Sequence, residues 1–168
     1  VRPVKLFRRL CEELGADGAK RKFLNEFYVS PEKLKLAELT EKNEKKILDL
    51  SRPESFSLYV GIPFCPSRCS YCSFVMSSVE RAKKLIEPYT ELLCEEIKTT
   101  AQIASDLGLR LETVYFGGGT PSLMPPSEIE GLIEHARRLF DCSSVTEITI
   151  EANPDDLTEE YVAELRKT

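Results

Sequence analysis

A chain of 168 residues with 42% hydrophobic and 30% charged side chains has room for one ordinary domain with a real core, or for a piece of a larger one. That balance excludes a disordered tail and a fibre, and no apolar run approaches the ~20 residues a membrane-spanning helix needs. The net charge of −5 argues against a broad cationic face for nucleic acid: residues 1–50 hold 12 Lys and Arg against 9 Asp and Glu, leaving 11 of 23 against 19 of 28 for the remainder. The first residues, Val1-Arg2-Pro3-Val4-Lys5, resemble neither a signal nor a transit peptide, so a cytoplasmic protein without a membrane partner is expected.

Val4, Phe7, Leu10, Cys11 and Leu14 fall at helical spacing before Gly15, and Gly18 is expected to supply a turn. Ser30-Pro31-Glu32 reads as a helix start, with proline at the first helical position. The helix through Leu50 is charge-rich; its thin apolar stripe, Leu34, Leu39, Ile47 and Leu48, is expected to lie against something larger. Ser51-Arg52-Pro53-Glu54-Ser55 is the best linker in the chain, which divides it into a helical segment over 1–53 and a second unit over 54–168.

Beyond that linker the period changes. Phe56 to Ile62 is a short β-branched and aromatic run, hence a strand, and Pro63 ends it into a cysteine-bearing loop. A long amphipathic helix over Ile86 to Leu107 follows, with Pro88 near its start and Gly108 at its end. Glu112 to Phe116 is a second strand and Gly117-Gly118-Gly119-Thr120-Pro121 a loop. Ser127 and Glu130 have the spacing of a capping box for a helix through Phe140. Thr146 to Ile150 is a third strand, with another helix from Thr158. Strand, loop and helix repeated three times is the βα signature of a parallel α/β sheet. Parallel strands are buried on both faces and keep adding neighbours, so the expectation is the N-terminal part of a (β/α) barrel, truncated at both ends, whose full form needs ~200–250 residues.

The chemistry concentrates in the cysteines. Of Cys11, Cys65, Cys69, Cys72, Cys94 and Cys142, three fall inside eight residues, which suits a metal better than disulfides. Cys65-x3-Cys69-x2-Cys72 on a loop after a strand can bring three soft thiolates to one centre, iron-sulfur or zinc. A structural zinc site would need a fourth ligand from His135, Cys94, Cys142 or Cys11, none of which sits in a paired arrangement, so iron-sulfur is the favoured reading. Three cysteines on a cubane cluster leave one iron open for a ligand. Cys11, Cys94 and Cys142 read as small packing residues, and His135, beside Glu134, as a surface residue.

The cysteine loop resembles the signature of radical S-adenosylmethionine (SAM) proteins. Together with Tyr59-Val60-Gly61-Ile62-Pro63-Phe64, Gly117-Gly118-Gly119-Thr120-Pro121-Ser122 and Glu151-Ala152-Asn153-Pro154, it is similar to the oxygen-independent coproporphyrinogen III oxidase family. Arg2-Pro3-Val4-Lys5 and the helices after it resemble the region before the barrel in that family's coproporphyrinogen dehydrogenase-like, HemZ-type branch. The resemblance implies a radical SAM partial TIM barrel in which Cys65, Cys69 and Cys72 ligate a [4Fe-4S] cluster and Tyr71 packs on the adenine of SAM. It places Tyr59 beside SAM, Gly118, Gly119 and Thr120 at its methionine end through bare backbone, and Glu151 facing the site as an acceptor. It further implies a tetrapyrrole substrate and an electron donor such as flavodoxin or ferredoxin, with oxidative decarboxylation of coproporphyrinogen III in haem synthesis as the activity. It assigns no further catalytic side chain. The sequence departs from the authentic oxidases at Gly61, where they carry histidine, and at Phe74, where they carry a fourth cysteine. A haem-binding carrier on the same scaffold is the competing reading, and an RNA-modifying enzyme is disfavoured by the acidic second unit.

Overall fold

The protein is described by a computed structural model covering residues 2–167; Val1 and Thr168 lie outside the described residues. Its contacts divide the chain after Pro53 into two units.

In the first unit, Pro3 and Pro31 each stand at the first turn of a helix, where an N–H would have no intrahelical partner. The helices are α1 (Pro3–Asn25) and α2 (Pro31–Leu48). The side chain of Ser30 accepts from the Lys33 N–H at 3.3 Å, capping α2 as its sequence predicts. Gly15 breaks α1 with φ 72° and ψ 166°, a conformation that glycine reaches without steric cost. Gly18, expected in a turn, stays helical because Gly15 takes up the whole change of direction. The break lets Phe7 and Leu10 meet Ala19 and Phe23 in one cluster with Leu34 and Ala37 of α2. Phe7 and Phe23 pack edge to face, their centroids 5.0 Å apart. Leu34 therefore belongs to a small core of this unit's own, while Leu39, Ile47 and Leu48 are exposed.

The second unit is built on β1 (Ser55–Ile62), β4 (Arg110–Gly118) and β5 (Glu147–Ile150), paired in parallel in the order β1-β4-β5. Between them run two very short strands, β2 (Phe64–Cys65) and β3 (Ser77–Ser78), and the helices α3 (Val79–Asp106) and α4 (Pro126–Leu139); α5 (Glu159–Leu165) follows β5. The register sets Tyr59 beside Tyr115 and Gly61 beside Gly117. This is the parallel α/β arrangement that the βα repeat predicts.

Alternation along the strands sends Leu58, Val60 and Ile62 of β1 and Val114 and Phe116 of β4 to one face. There they share a core with Leu93, Ile97 and Ala101 of α3 and Ile129, Leu132 and Ile133 of α4, residues three or four apart on one side of each helix. Phe116 is 1% exposed, so truncating it to Ala would cost about 3–5 kcal/mol. On the alternate face, Ser57 accepts from the Thr113 hydroxyl at 2.7 Å and Tyr59 lies against Tyr115.

Three local expectations are corrected. α3 begins at Val79 rather than near Ile86, so Pro88 lies inside it; Ser78 is held extended by the β2–β3 ladder and releases the chain into helix directly afterwards. The capping box of Ser127 and Glu130 does not form. α4 starts at Pro126, with Pro125 before it, and the carbonyl of Pro125 takes the N–H groups of both Glu128 and Ile129. His135 is half-buried rather than on the surface: its Nε2 lies 3.0 Å from the Cys94 carbonyl, tying α4 to α3. Thr158 caps α5 through the Tyr161 N–H at 3.1 Å.

Candidate functional site

The carboxyl ends of β1, β4 and β5 open on a cavity of 710 Å³. Its wall includes Cys65, Cys69, Cys72, Tyr71, Gly118, Gly119, Thr120 and Glu151, every residue that the sequence singled out except Tyr59. In open α/β sheets this end is where ligands bind.

The cysteine loop is pinched at its base. β2 and β3 pair Phe64 with Ser77 and Cys65 with Ser78, and the Ser77 N–H donates to the Pro63 carbonyl at 2.9 Å. Cys65 is buried in this ladder, Cys72 is half-buried and Cys69 is exposed, with the Cys72 N–H donating to the Cys69 carbonyl at 3.0 Å. The three thiols share one wall, yet among the described residues no three His, Cys, Asp or Glu side chains close into a metal-binding group. Tyr71 is 87% exposed and hydrogen-bonds to Cys69, which pushes its phenol above the ordinary value.

The glycine loop is strapped across the end of β1. The Gly119 N–H donates to the Ile62 carbonyl at 2.7 Å and the Thr120 N–H to the Phe64 carbonyl at 2.8 Å. Gly118 has φ 110°, and a Cβ there would lie 3.2 Å from the Ile62 oxygen; at Gly119 a Cβ would lie 2.9 Å from that oxygen and closer still to the Phe64 oxygen. The glycines are therefore required first by the approach of loop to strand, an addition to the expectation of bare backbone offered to a ligand. The Thr120 side chain is buried and donates to the Cys65 sulfur at 3.3 Å.

Glu151 stands just past β5, its N–H donating to the Phe116 carbonyl at 2.9 Å. Both carboxylate oxygens have donors: the Tyr115 hydroxyl reaches Oε1 at 2.7 Å and the Gly118 N–H reaches Oε2 at 3.2 Å. Donating to Glu151 raises the Tyr115 phenol, since ionising it would place two negative charges together. Tyr115 was missed in the sequence; it could have been found by alternation, because the residue two before Gly117 points to the same face of the strand. Its ring is nearly parallel to that of Tyr59, 5.8 Å away and inclined by 13°. Tyr59 thus lies on the open sheet face beside the cavity wall and meets the site through Tyr115.

The remaining cysteines are packing residues, as expected. Cys94 and Cys142 lie against the main core and Cys11 against the helical one, and burial pushes all three thiols up. Of the two departing positions, Phe74 is 70% exposed on the cavity wall. Gly61 takes the Tyr89 hydroxyl on its carbonyl at 2.6 Å, and a Cβ there would meet only ordinary contact.

A parallel βα sheet that gathers a C-x3-C-x2-C loop, a strapped glycine loop and a doubly held glutamate at one end defines a class. Residues 59–168 match the Radical SAM superfamily, and the chain belongs to it. Within that superfamily it is 31% identical, over 99% of its length, to the oxygen-independent coproporphyrinogen-III oxidase-like protein HemZ of Bacillus subtilis, of which it covers 34%. It is 36% identical over 67% of its length to the heme chaperone HemW of Lactococcus lactis, covering 27% of that protein. The solved structure of coproporphyrinogen III oxidase (HemN) from Escherichia coli, described as a radical SAM enzyme, superposes with a TM-score of 0.57 at 29% identity, over 66% of this chain and 25% of that one. The chain spans about a third or less of the length of these relatives. Among the described residues, no helix is long and apolar enough to cross a membrane.

Proposed function

We propose that this chain carries the cluster- and SAM-binding part of a cytoplasmic radical SAM enzyme that oxidatively decarboxylates coproporphyrinogen III to protoporphyrinogen IX without oxygen. The observation that carries the reading is the meeting of all three loop thiols, the glycine loop and Glu151 on one cavity wall at the carboxyl end of a parallel sheet.

The residues fit the groups assigned to them. Cys65, Cys69 and Cys72 offer three soft donors and leave a fourth position for a ligand, the set that suits a [4Fe-4S] cluster. Glu151, steadied at both oxygens, keeps lone pairs to accept from the ammonium or hydroxyl groups of SAM, while Gly118, Gly119 and Thr120 bound the space beside it. Tyr71 supplies an exposed ring on the same wall to cover the adenine. When bound, cluster and SAM supply a 5′-deoxyadenosyl radical, formed with an electron from a donor such as flavodoxin or ferredoxin and able to take hydrogen from a propionate side chain. In this reading residues 54–168 are the first three β/α units of the core and residues 1–53 a separate helical segment.

A haem carrier on the same scaffold is the second reading, favoured by Gly61 and Phe74 and by the likeness to HemW. One experiment separates them. The full-length enzyme that carries this chain is purified, reconstituted anaerobically with iron and sulfide and given SAM, dithionite and coproporphyrinogen III, and mass spectrometry follows 5′-deoxyadenosine together with loss of two carboxyl groups. Both products are expected. Tight haem binding without decarboxylation would transfer the assignment to the carrier. Cys69→Ala should abolish the brown cluster absorbance and Cys94→Ala should not; equal loss in both would overturn the ligand assignment.

A further inference from the structure

We propose that the hydroxyl of Thr120 is a redox-tuning donor to the Cys65 sulfur, setting the reduction potential of the cluster from the glycine loop. The proposal rests on the reading that Cys65 is a cluster ligand.

Cys65 is the one buried thiol of the three, 8% exposed, while Cys69 is exposed and Cys72 half-buried. Water can reach the outer sulfurs. At Cys65 a protein donor takes that place: Thr120, 9% exposed, with its hydroxyl 3.3 Å from the sulfur. The contact is fixed from both ends. Cys65 is paired with Ser78 in the β2–β3 ladder, and the Thr120 N–H is bonded to the carbonyl of Phe64, the residue before Cys65. The side-chain torsions of Thr120 and Cys65 remain, and the β-branch of threonine stiffens its own.

A hydroxyl that donates to a metal-bound thiolate draws electron density from the sulfur. The one-electron-reduced cluster carries the greater negative charge, so this donor stabilises the reduced form more and raises the potential. Burial of both groups strengthens the effect, because the local dielectric is low.

The test uses reconstituted protein without SAM, with the cluster midpoint potential followed by EPR during anaerobic redox titration. Thr120→Val keeps the shape and the β-branch before Pro121 and removes the donor; its midpoint should move to more negative values. Thr120→Ser keeps the donor and should return the midpoint towards wild type. Coincident Val and wild-type midpoints, or a Ser midpoint displaced as far as that of Val, would overturn the proposal. A second measurement compares isotope shifts: on exchange into D2O the Fe–S stretching bands in resonance Raman spectra should shift less in Thr120→Val than in wild type, and equal shifts also overturn it. Failure of the underlying reading looks different, as a wild-type protein that assembles no EPR-active cluster or a Cys65→Ala protein that assembles a normal one.

Discussion

The strapping of the glycine loop to β1 makes the consequence of one methyl group calculable. In Gly119→Ala the new Cβ would sit 2.9 Å from the Ile62 oxygen and nearer to that of Phe64. Those two oxygens are the acceptors of the Gly119 and Thr120 N–H groups, at 2.7 and 2.8 Å. The obstruction is backbone on both sides, so it cannot be relieved by a side-chain rotation; the loop has to lift and loosen both bonds together. Two backbone hydrogen bonds at about 1 kcal/mol each, with about 1 kcal/mol of residual overlap strain, give a destabilisation of about 2–4 kcal/mol. Gly131, exposed in α4 with open space around it, is the counterpart: Gly131→Ala gains helix propensity and should stabilise by about 0.5–1 kcal/mol. Denaturant unfolding followed by circular dichroism measures both. A Gly119→Ala loss below about 0.5 kcal/mol would refute the close-approach argument.

Other outcomes follow from the same contacts. Tyr115→Phe removes one of the two donors that hold Glu151 and should weaken SAM binding to reconstituted protein about 5-fold, an effect of about 1 kcal/mol; calorimetric titration showing unchanged affinity would dismiss Tyr115 as a positioning residue. Tyr89 donates to the Gly61 carbonyl and burial raises its phenol, so its contribution is complete below about pH 10 and is lost as pH climbs through its native value. Alkaline melting curves should therefore show a smaller stability loss above about pH 10 in Tyr89→Phe than in wild type; parallel losses would contradict this. In the metal-free protein, iodoacetamide at neutral pH should label exposed Cys69 first and Cys94 and Cys142 last, because burial raises the latter two thiols. Peptide-resolved mass spectrometry reads the order, and Cys94 reacting as fast as Cys69 would show that the core is more open than its packing indicates.

The Tyr59–Tyr115–Glu151 line connects the sheet to the site. Tyr115 is stacked on Tyr59 on one side and bonded to Glu151 on the other, and a Cβ at Gly117 would press on both rings, 2.8 Å from Tyr115 and 2.9 Å from the Tyr59 hydroxyl oxygen, so that they would have to shift. The order of strands therefore positions a carboxylate at the cavity through side chains on the alternate sheet face.

What the sequence by itself determined is what short-range pattern controls. Short β-branched and aromatic runs placed three parallel strands and helical spacing the helices between them; Ser30 and Thr158 marked helix starts, and both residues cap their helices. The Cys65–Cys72 spacing and the glycine loop each follow a strand, so their place at its carboxyl end was also legible. The tertiary structure decided the rest, because the deciding partners are far apart in the chain. The ladder of Phe64–Cys65 with Ser77–Ser78 has two residues per strand, too few to leave a periodic signal, yet it moves the start of α3 and closes the cysteine loop. His135 reads as a surface residue until α4 lies beside the Cys94 carbonyl, 41 positions earlier. Tyr115 meets Glu151 across 36 positions and Thr120 meets Cys65 across 55, contacts that exist only once the register of β1, β4 and β5 has aligned their carboxyl ends. Local pattern can name the residues of a site, but which hydroxyl faces which sulfur or carboxylate depends on strand register, and register is a property of the packed sheet.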